Sequence, residues 1–324
     1  MRLLSVGRSN PHSFFLINLS PSLNFNNMQT SSRLLKWLIS GPPLLFLLIF
    51  FVAPSLIMVF TSFRLPGEFG GLAPIIILPG EVAGDSGLTI ETYQFFFSDF
   101  IYTEIFLKSF AVATLTTLIC IAMAYPLALL IARSRKKFRN LMIMLVVLPF
   151  ASNFLVRIYA WMIILGPESG LSHFINGILA FFGIAPVTLL FSPFAVLIGM
   201  VYVHLPFMIL PLYTNLEKHD PMLLDAAQDL GANSWQRFWY VTWPQSLPGI
   251  FSGSALVFIP VLGMFAIPDI LGGTGDMMIG NLIKDQFLGT RDWPFGSTLS
   301  IMLTLAVLGT AGLFSWFART RNPV

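Results

Sequence analysis

Apolar residues along this chain fall in long unbroken blocks, without the regular spacing of elements that keep one face in water. A bilayer-spanning helix needs ~20 apolar residues. Charge-free stretches of that order run over Trp37–Phe63, Ser109–Ala132, Phe238–Pro268 and Trp293–Ala318. Ser169–Leu216 is too long for one helix and has a Gly/Pro-rich front half, while Leu141–Val156 continues past Arg157 to Leu165. The pattern predicts six spans, at about 36–60, 108–132, 141–165, 193–214, 246–269 and 296–318. The expected fold class is therefore an all-α polytopic membrane protein. Composition agrees, with 56% of the 324 residues hydrophobic and 10% charged, far from the balance of a water-soluble domain.

Where the cations fall predicts an orientation. Arg33 and Lys36 precede the first span, and Arg133, Arg135, Lys136, Lys137 and Arg139 fill the loop after the second. Arg319 and Arg321 follow the sixth. By contrast, Phe63–Leu107 carries Arg64 among six acidic residues, and Gly166–Ser192 carries no Lys or Arg. Basic loops stay in the cytoplasm. Both termini and the polar segment 219–244 are thus expected on that side, in a plasma (inner) membrane.

That segment is the longest polar interruption in the second half of the chain. Asp220 is an N-cap candidate and Pro221 suits the first helical position, where a missing N–H costs nothing. Leu223, Ala226, Ala227 and Leu230 follow at i, i+3, i+4 and i+7, one face of a helix. Gly231 is placed to end it, and Asn233 or Ser234 to cap a second short helix near Trp235. From chemistry alone this is equally an amphipathic helix lying on a membrane surface. The spacing Asp225-Ala226-Ala227, three residues, Gly231, nine residues, then Val241-Thr242-Trp243-Pro244 resembles the EAA motif of ABC importer permeases, with Asp for Glu, Val for Ile and Trp for Leu. The resemblance implies that Asp225, Ala226, Ala227, Gly231 and Pro244 belong to a cytoplasmic coupling helix that seats on an ATPase subunit.

A longer likeness runs over about residues 40–318. Tyr125-Pro126-Leu127-Ala128, Leu155-Val156-Arg157-Ile158-Tyr159-Ala160-Trp161, Ile267-Pro268-Asp269-Ile270-Leu271-Gly272-Gly273, Asp285-Gln286-Phe287 and Arg291-Asp292-Trp293-Pro294-Phe295-Gly296-Ser297 are similar to the permease subunits of bacterial spermidine/putrescine importers. Met264 departs from that pattern, standing where the polyamine type is expected to be acidic. The likeness implies the type I permease fold, with a first helix and extracytoplasmic loop over 34–106, a permease core over 107–318 and a cytoplasmic tail at 319–324. It also implies partners: two ATPase subunits that hold ATP and Mg, a second permease subunit, an extracytoplasmic binding protein and membrane lipid, but no nucleic acid. The implied substrate is a polyamine. Thiamine, ferric iron and other organic amines are the alternatives within the same architecture.

Candidate chemistry is sparse. No phosphate-binding G-x-x-x-x-G-K-[ST] loop occurs, and neither H-E-x-x-H nor G-x-S-x-G is present. The chain is not expected to be an enzyme, to bind a metal or to hold a cofactor. Cys120, the one cysteine, sits inside an apolar span and reads as packing, as does His204 beside Pro206. Ion-coupled transport requires intramembrane carboxylates, which the cores of the first four spans lack. Arg157 stands inside an apolar stretch, where a charge must face protein or reach the surface. With Tyr159 and Trp161 it is a candidate for the substrate path or for docking of the binding protein. Asp269, Asp285 and Asp292 are candidates for pairing with ammonium groups, supported by Trp293 and Phe295 as aromatic faces. Residues 1–33 contain several serines, arginines and no acid, and are expected to be a tail, a transit-like segment or an upstream extension ahead of Met28.

Overall fold

The computed structural model describes residues 38–73 and 88–320, the side chains of 315–320 excepted. The expected tail at 1–33 lies outside the described residues. Contacts divide the chain at Ser55. Before that point lies the larger part of α1 (Leu38–Ser62), a helix whose Leu, Ile, Phe and Val residues are exposed and which carries a five-residue π turn at Leu48–Val52. Exposed Leu, Ile and Phe with all backbone bonds internal are what a hydrocarbon environment requires.

The remainder of the chain holds helices α2 (Glu91–Ser98), α3 (Phe100–Arg133), α4 (Lys136–Val147), α5 (Phe154–Leu165), α6 (Gly170–Phe181) and α7 (Pro193–Leu216). After them come α8 (Pro221–Asp229), α9 (Ser234–Leu262), α10 (Ala266–Leu271), α11 (Ile279–Lys284) and α12 (Trp293–Thr320). The core is the mutual packing of α3, α7 and α9. Its contact surface is built from small and flexible side chains: Ala113, Cys120, Ala124 and Ala128 on α3, Met200 and Met208 on α7, and Val257 and Val261 on α9 are all fully buried. Small residues let apolar helices approach closely where water exclusion supplies no driving force. A second cluster joins Phe96 of α2, Ile279 and Leu282 of α11, and Phe295 and Leu299 of α12.

Among the described residues six helical runs are long and apolar enough to span, as the hydrophobic pattern predicts. The third is placed differently. A single helix over 141–165 is not formed: α4 stops at Val147, Leu148–Ala151 tightens to a 3-10 turn, and α5 begins at Phe154. Pro149 lacks the N–H that would continue the ladder, and Asn153 restarts it by accepting from the Leu155 N–H at 2.8 Å. The apolar run that meets the length criterion is Phe154–Phe181, which bends between α5 and α6. Ser169 caps α6 there through the Ser172 N–H, 3.1 Å away. Pro126, Pro206, Pro211 and Pro260 all lie inside continuous helices.

The fifth span also differs from its expected bounds. It starts at Ser234 and ends at Leu262, with Gly263 as its C-cap. The second short helix expected near Trp235 is therefore the first turn of α9, continuous with it through a π turn at Phe238–Thr242.

Candidate coupling segment and a second polar cluster

Between α7 and α9 the local sequence grammar sets the backbone. The Asp220 Oδ1 accepts from the Met222 N–H at 2.9 Å, and Pro221 occupies the first turn. At the other end Gly231 adopts φ +84°. The Gly231 N–H bonds the Gln228 carbonyl at 2.9 Å and the Ala232 N–H bonds the Ala227 carbonyl at 3.0 Å. This pair is a Schellman closure, which needs a left-handed residue and so favours glycine. Two residues on, Asn233 and Gln236 form a reciprocal capping box, each bond 2.8 Å. Arg237 then reaches back to the Gln228 Oε1 at 2.7 Å, tying the start of α9 to α8.

Only part of the expected apolar face of α8 turns inward. Leu224 and Ala227 are half-buried against the bundle, while Leu223, Asp225 and Ala226 are exposed. Met222 and Leu230 are 73% and 89% exposed. A helix closed at both ends and tied to α9 by Arg237 thus holds an apolar outer face that none of the described residues covers. Pro244, the last candidate of this group, is exposed on α9 beyond the π turn, beside buried Thr242.

The approach to this segment is braced. Glu217, just past α7, pairs with Arg139 of α4 at 2.6 Å. His219 hydrogen-bonds the backbone at Gln245, but its burial is the larger influence and lowers its pKa, favouring the neutral ring. The basic stretch after α3 and the coupling segment therefore lie at the same end of the bundle.

A separate polar cluster gathers around α10 and α11. The Asp269 Oδ2 accepts from the Lys284 ammonium at 2.6 Å, and its other oxygen accepts from the Asn281 amide. Lys284 also lies 3.3 Å from Asp285. The hydrogen bond to Asp269 raises the pKa of this ammonium further, so it stays charged. Asp276 is held by Lys108 of α3, 3.3 Å away, and accepts from the Gly273 N–H at 3.0 Å. Asp269, Asp276, Asp285 and Asn281 line an open cleft of about 240 Å³. Asp292 is not part of it: its carboxylate accepts from the Phe295 N–H at 3.0 Å, at the start of α12.

The α5 candidates divide. The Arg157 guanidinium lies 4.9 Å from the Phe150 ring centroid, and its Nε is buried without a partner. Trp161 packs edge-on against Tyr202 of α7 at 5.5 Å, whereas Tyr159 is about half exposed. Helix α10, which carries Asp269, packs on α5. Met264, where an acidic residue was expected, packs against the buried core. Among the described residues no set of three His, Cys, Asp or Glu side chains could hold a metal ion.

Sequence reading missed Lys284, Lys108 and the positioning role of Asn281. Asn281 is 4% exposed; its amide donates to the Phe265 carbonyl at 2.9 Å and its Oδ1 accepts from the Met278 N–H at 3.2 Å. Asn281→Ala strands the buried Met278 N–H and takes a donor from the Phe265 carbonyl and from one oxygen of Asp269. Each orphaned group costs about 1–3 kcal/mol. The expected result is a clearly lower unfolding temperature in a thermal scan of the solubilised protein, and Asn281→Asp is expected to be no better than Asn281→Ala, because a carboxylate has no donor for the Phe265 carbonyl and repels Asp269.

Residues 124–321 match the family model described as binding-protein-dependent transport system inner membrane component. The chain is 44% identical over 220 residues to the spermidine/putrescine transport system permease protein PotB of Haemophilus influenzae, covering 67% of this chain and 75% of that protein. It is 43% identical over 222 residues to the Escherichia coli K12 protein of the same description, covering 68% and 79%. Among solved structures, a bacterial ABC transporter involved in the import of alginate superposes with a TM-score of 0.65 at 18% identity, over 91% of this chain and 98% of that one. That last likeness concerns the fold alone.

Proposed function

The chain belongs to the family of binding-protein-dependent transport system inner membrane components, and from that premise we propose that it conducts polyamines through an ATP-driven importer. It is a permease subunit of an ABC importer and a multi-pass membrane protein. Hydrolysis belongs to a separate ATPase chain. The observation that carries the coupling part of the proposal is the exposed apolar face of α8, set on a doubly capped helix between two spans. Met222, Leu223 and Leu230 are costly in water, and a groove in an ATPase subunit offsets that cost.

In this reading α8 and the basic stretch at Arg133–Arg139 face the cytoplasm, with both termini on the same side. Two ATPase subunits, a second permease and an extracytoplasmic binding protein complete the assembly. Closure of the ATPase pair pushes α8 toward the bundle. Glu217 and His219 pass that displacement to α4 and α9, and the outer end opens to receive substrate.

The polyamine reading draws on the 44% identity to a spermidine/putrescine permease and on the carboxylates at the α10–α11 cleft. Lysine ammonium groups already pair with Asp269, Asp276 and Asp285, which supports an affinity of these carboxylates for alkylammonium groups. A polyamine presents the same group and can exchange with Lys284 at Asp269. Asp225, Ala226, Ala227, Gly231 and Pro244 are assigned to coupling, and Arg157, Tyr159, Trp161, Asp269 and Asp285 to the outer path or docking. Asp292 fits a helix-capping role better.

The test is labelled spermidine uptake by cells expressing the chain with its partner subunits, beside cells lacking the ATPase. Uptake is expected to require the ATPase. Uptake independent of it rejects the importer mechanism, and ATPase stimulation only by another loaded binding protein keeps the class and rejects the substrate.

A further inference from the structure

A cleft of about 410 Å³ lies behind the coupling segment, on the side of α8 that faces the bundle. Leu224 of α8 forms one wall, Trp235 and Phe238 of α9 another, and Arg133, Arg237 and Thr242 complete the lining. The ring planes of Trp235 and Phe238 stack at 25° with centroids 6.1 Å apart. Arg133 is the last residue of α3, and Ser234 the first of α9, so the cleft opens where two spans meet their membrane boundary. It is distinct from the outer face carried by Met222, Leu223 and Leu230.

Four features of this cleft and its surroundings call for an anionic, partly apolar occupant. Arg133 is exposed and forms no ion pair among the described residues, while Arg237 spends its bonds on the neutral Gln228 and Ser234. Two guanidinium groups therefore line one cleft with no carboxylate balancing either. Thr242 is 3% exposed and its hydroxyl is buried without a hydrogen-bond partner, which carries a penalty unless something meets it. The neighbouring Arg135, Lys136 and Lys137 are exposed and Glu217 is already engaged by Arg139, so the local field is positive. Trp235, Trp239 and Tyr240 are exposed beside it, the residue types that favour the headgroup level of a bilayer.

We propose that this cleft binds the phosphate headgroup of an anionic phospholipid, held between Arg133 and Arg237 with its glycerol end against Trp235 and Phe238. Guanidinium groups match phosphate oxygens in geometry and charge, and basic pockets between spans recognise such lipids by that chemistry. The proposal needs only that the chain lies in a membrane. Its failure would leave the coupling reading of α8 untouched, because that reading concerns the opposite face.

The experiment is native mass spectrometry of the full-length chain released from micelles doped with phosphatidylglycerol or phosphatidylcholine. One phosphatidylglycerol retained in preference to phosphatidylcholine is expected, weakened about fivefold by Arg133→Gln or by Arg237→Gln and about 30-fold by both. The double lysine variant, Arg133→Lys with Arg237→Lys, is expected to keep most of the preference, and it serves where the glutamine pair does not fold. Glycerol 3-phosphate is the soluble arm. Displacement of the lipid only at great excess supports the lipid source, whereas equal affinity assigns the cleft to a free phosphate and overturns it. No preference for the anionic lipid, or a preference unchanged in both single variants, also overturns it.

Discussion

Gly231→Trp is expected to remove ATP-dependent uptake, by at least about tenfold, while the protein still inserts and accumulates in the membrane. The φ of +84° at this residue costs an L-residue about 1–2 kcal/mol. That is enough to fray the end of α8 and too little to unfold a bundle held by α3, α7 and α9. A Cβ built at Gly231 meets nothing within 4 Å. The indole therefore has room in the isolated chain. Its steric effect falls on whatever seats at this turn.

Gly231→Asn separates the two contributions, since asparagine tolerates the left-handed region far better than most residues and is much smaller than tryptophan. Uptake is expected to fall only slightly in that variant. The measurement is labelled-substrate uptake normalised to membrane-inserted protein, with ATPase activity read in parallel. Normal uptake by Gly231→Trp would show that the outer side of this turn faces no partner. Equal loss in both variants would move the cause to the backbone, and the docking argument would fall.

The caps that make this prediction specific were legible because they are local. Asp220, Gly231 and Asn233 each act on groups two to five residues away, so a linear reading contains all the information needed. The six apolar runs were legible for the same reason. The third span was misplaced because hydropathy says nothing about where the ladder breaks. Apolar residues continue across Pro149, and the missing donor outweighs them. The apolar face of α8 was half legible: the spacing put Leu223 and Leu230 on one face, but only packing shows that Leu224 is the residue turned inward.

The polar cluster around α10 and α11 was the least legible part. Asp269 was visible as a carboxylate, yet its partners lie 12 and 15 residues away on another helix, and the Asp276 partner lies 168 residues away on α3. No short-range pattern announces such pairs. Asp292 was misleading in the opposite way, since a carboxylate three residues before an N–H it caps has the same composition as one awaiting a ligand.

The contacts of Asn281 depend on a close approach of α11 to the turn before α10, and Gly280→Ala is expected to be strongly destabilising there. A Cβ at this position would lie 2.6 Å from the Gly263 carbonyl oxygen and 3.0 Å from the carbonyl carbons of Gly263 and Met264. All three are backbone atoms, so no side chain can rotate away. Relief requires the turn between α9 and α10 to move off α11. That movement pulls the Phe265 carbonyl from the Asn281 amide and loosens Asp269 from Asn281 and Lys284. Overpacking a tight site costs about 1–3 kcal/mol where side chains can adjust, and a rigid backbone neighbour puts this change at the upper end or beyond. Gly275→Ala in the same connection is the control, because its Cβ would have open space. Thermal scans of the solubilised protein are expected to show a large fall for Gly280→Ala and almost none for Gly275→Ala. The uptake deficit of Gly280→Ala should deepen on warming, since the lesion is in holding the cleft together. Equal thermal stability of the two variants would mean that α11 can shift freely over the turn, and the positioning role given to Asn281 would fail with it.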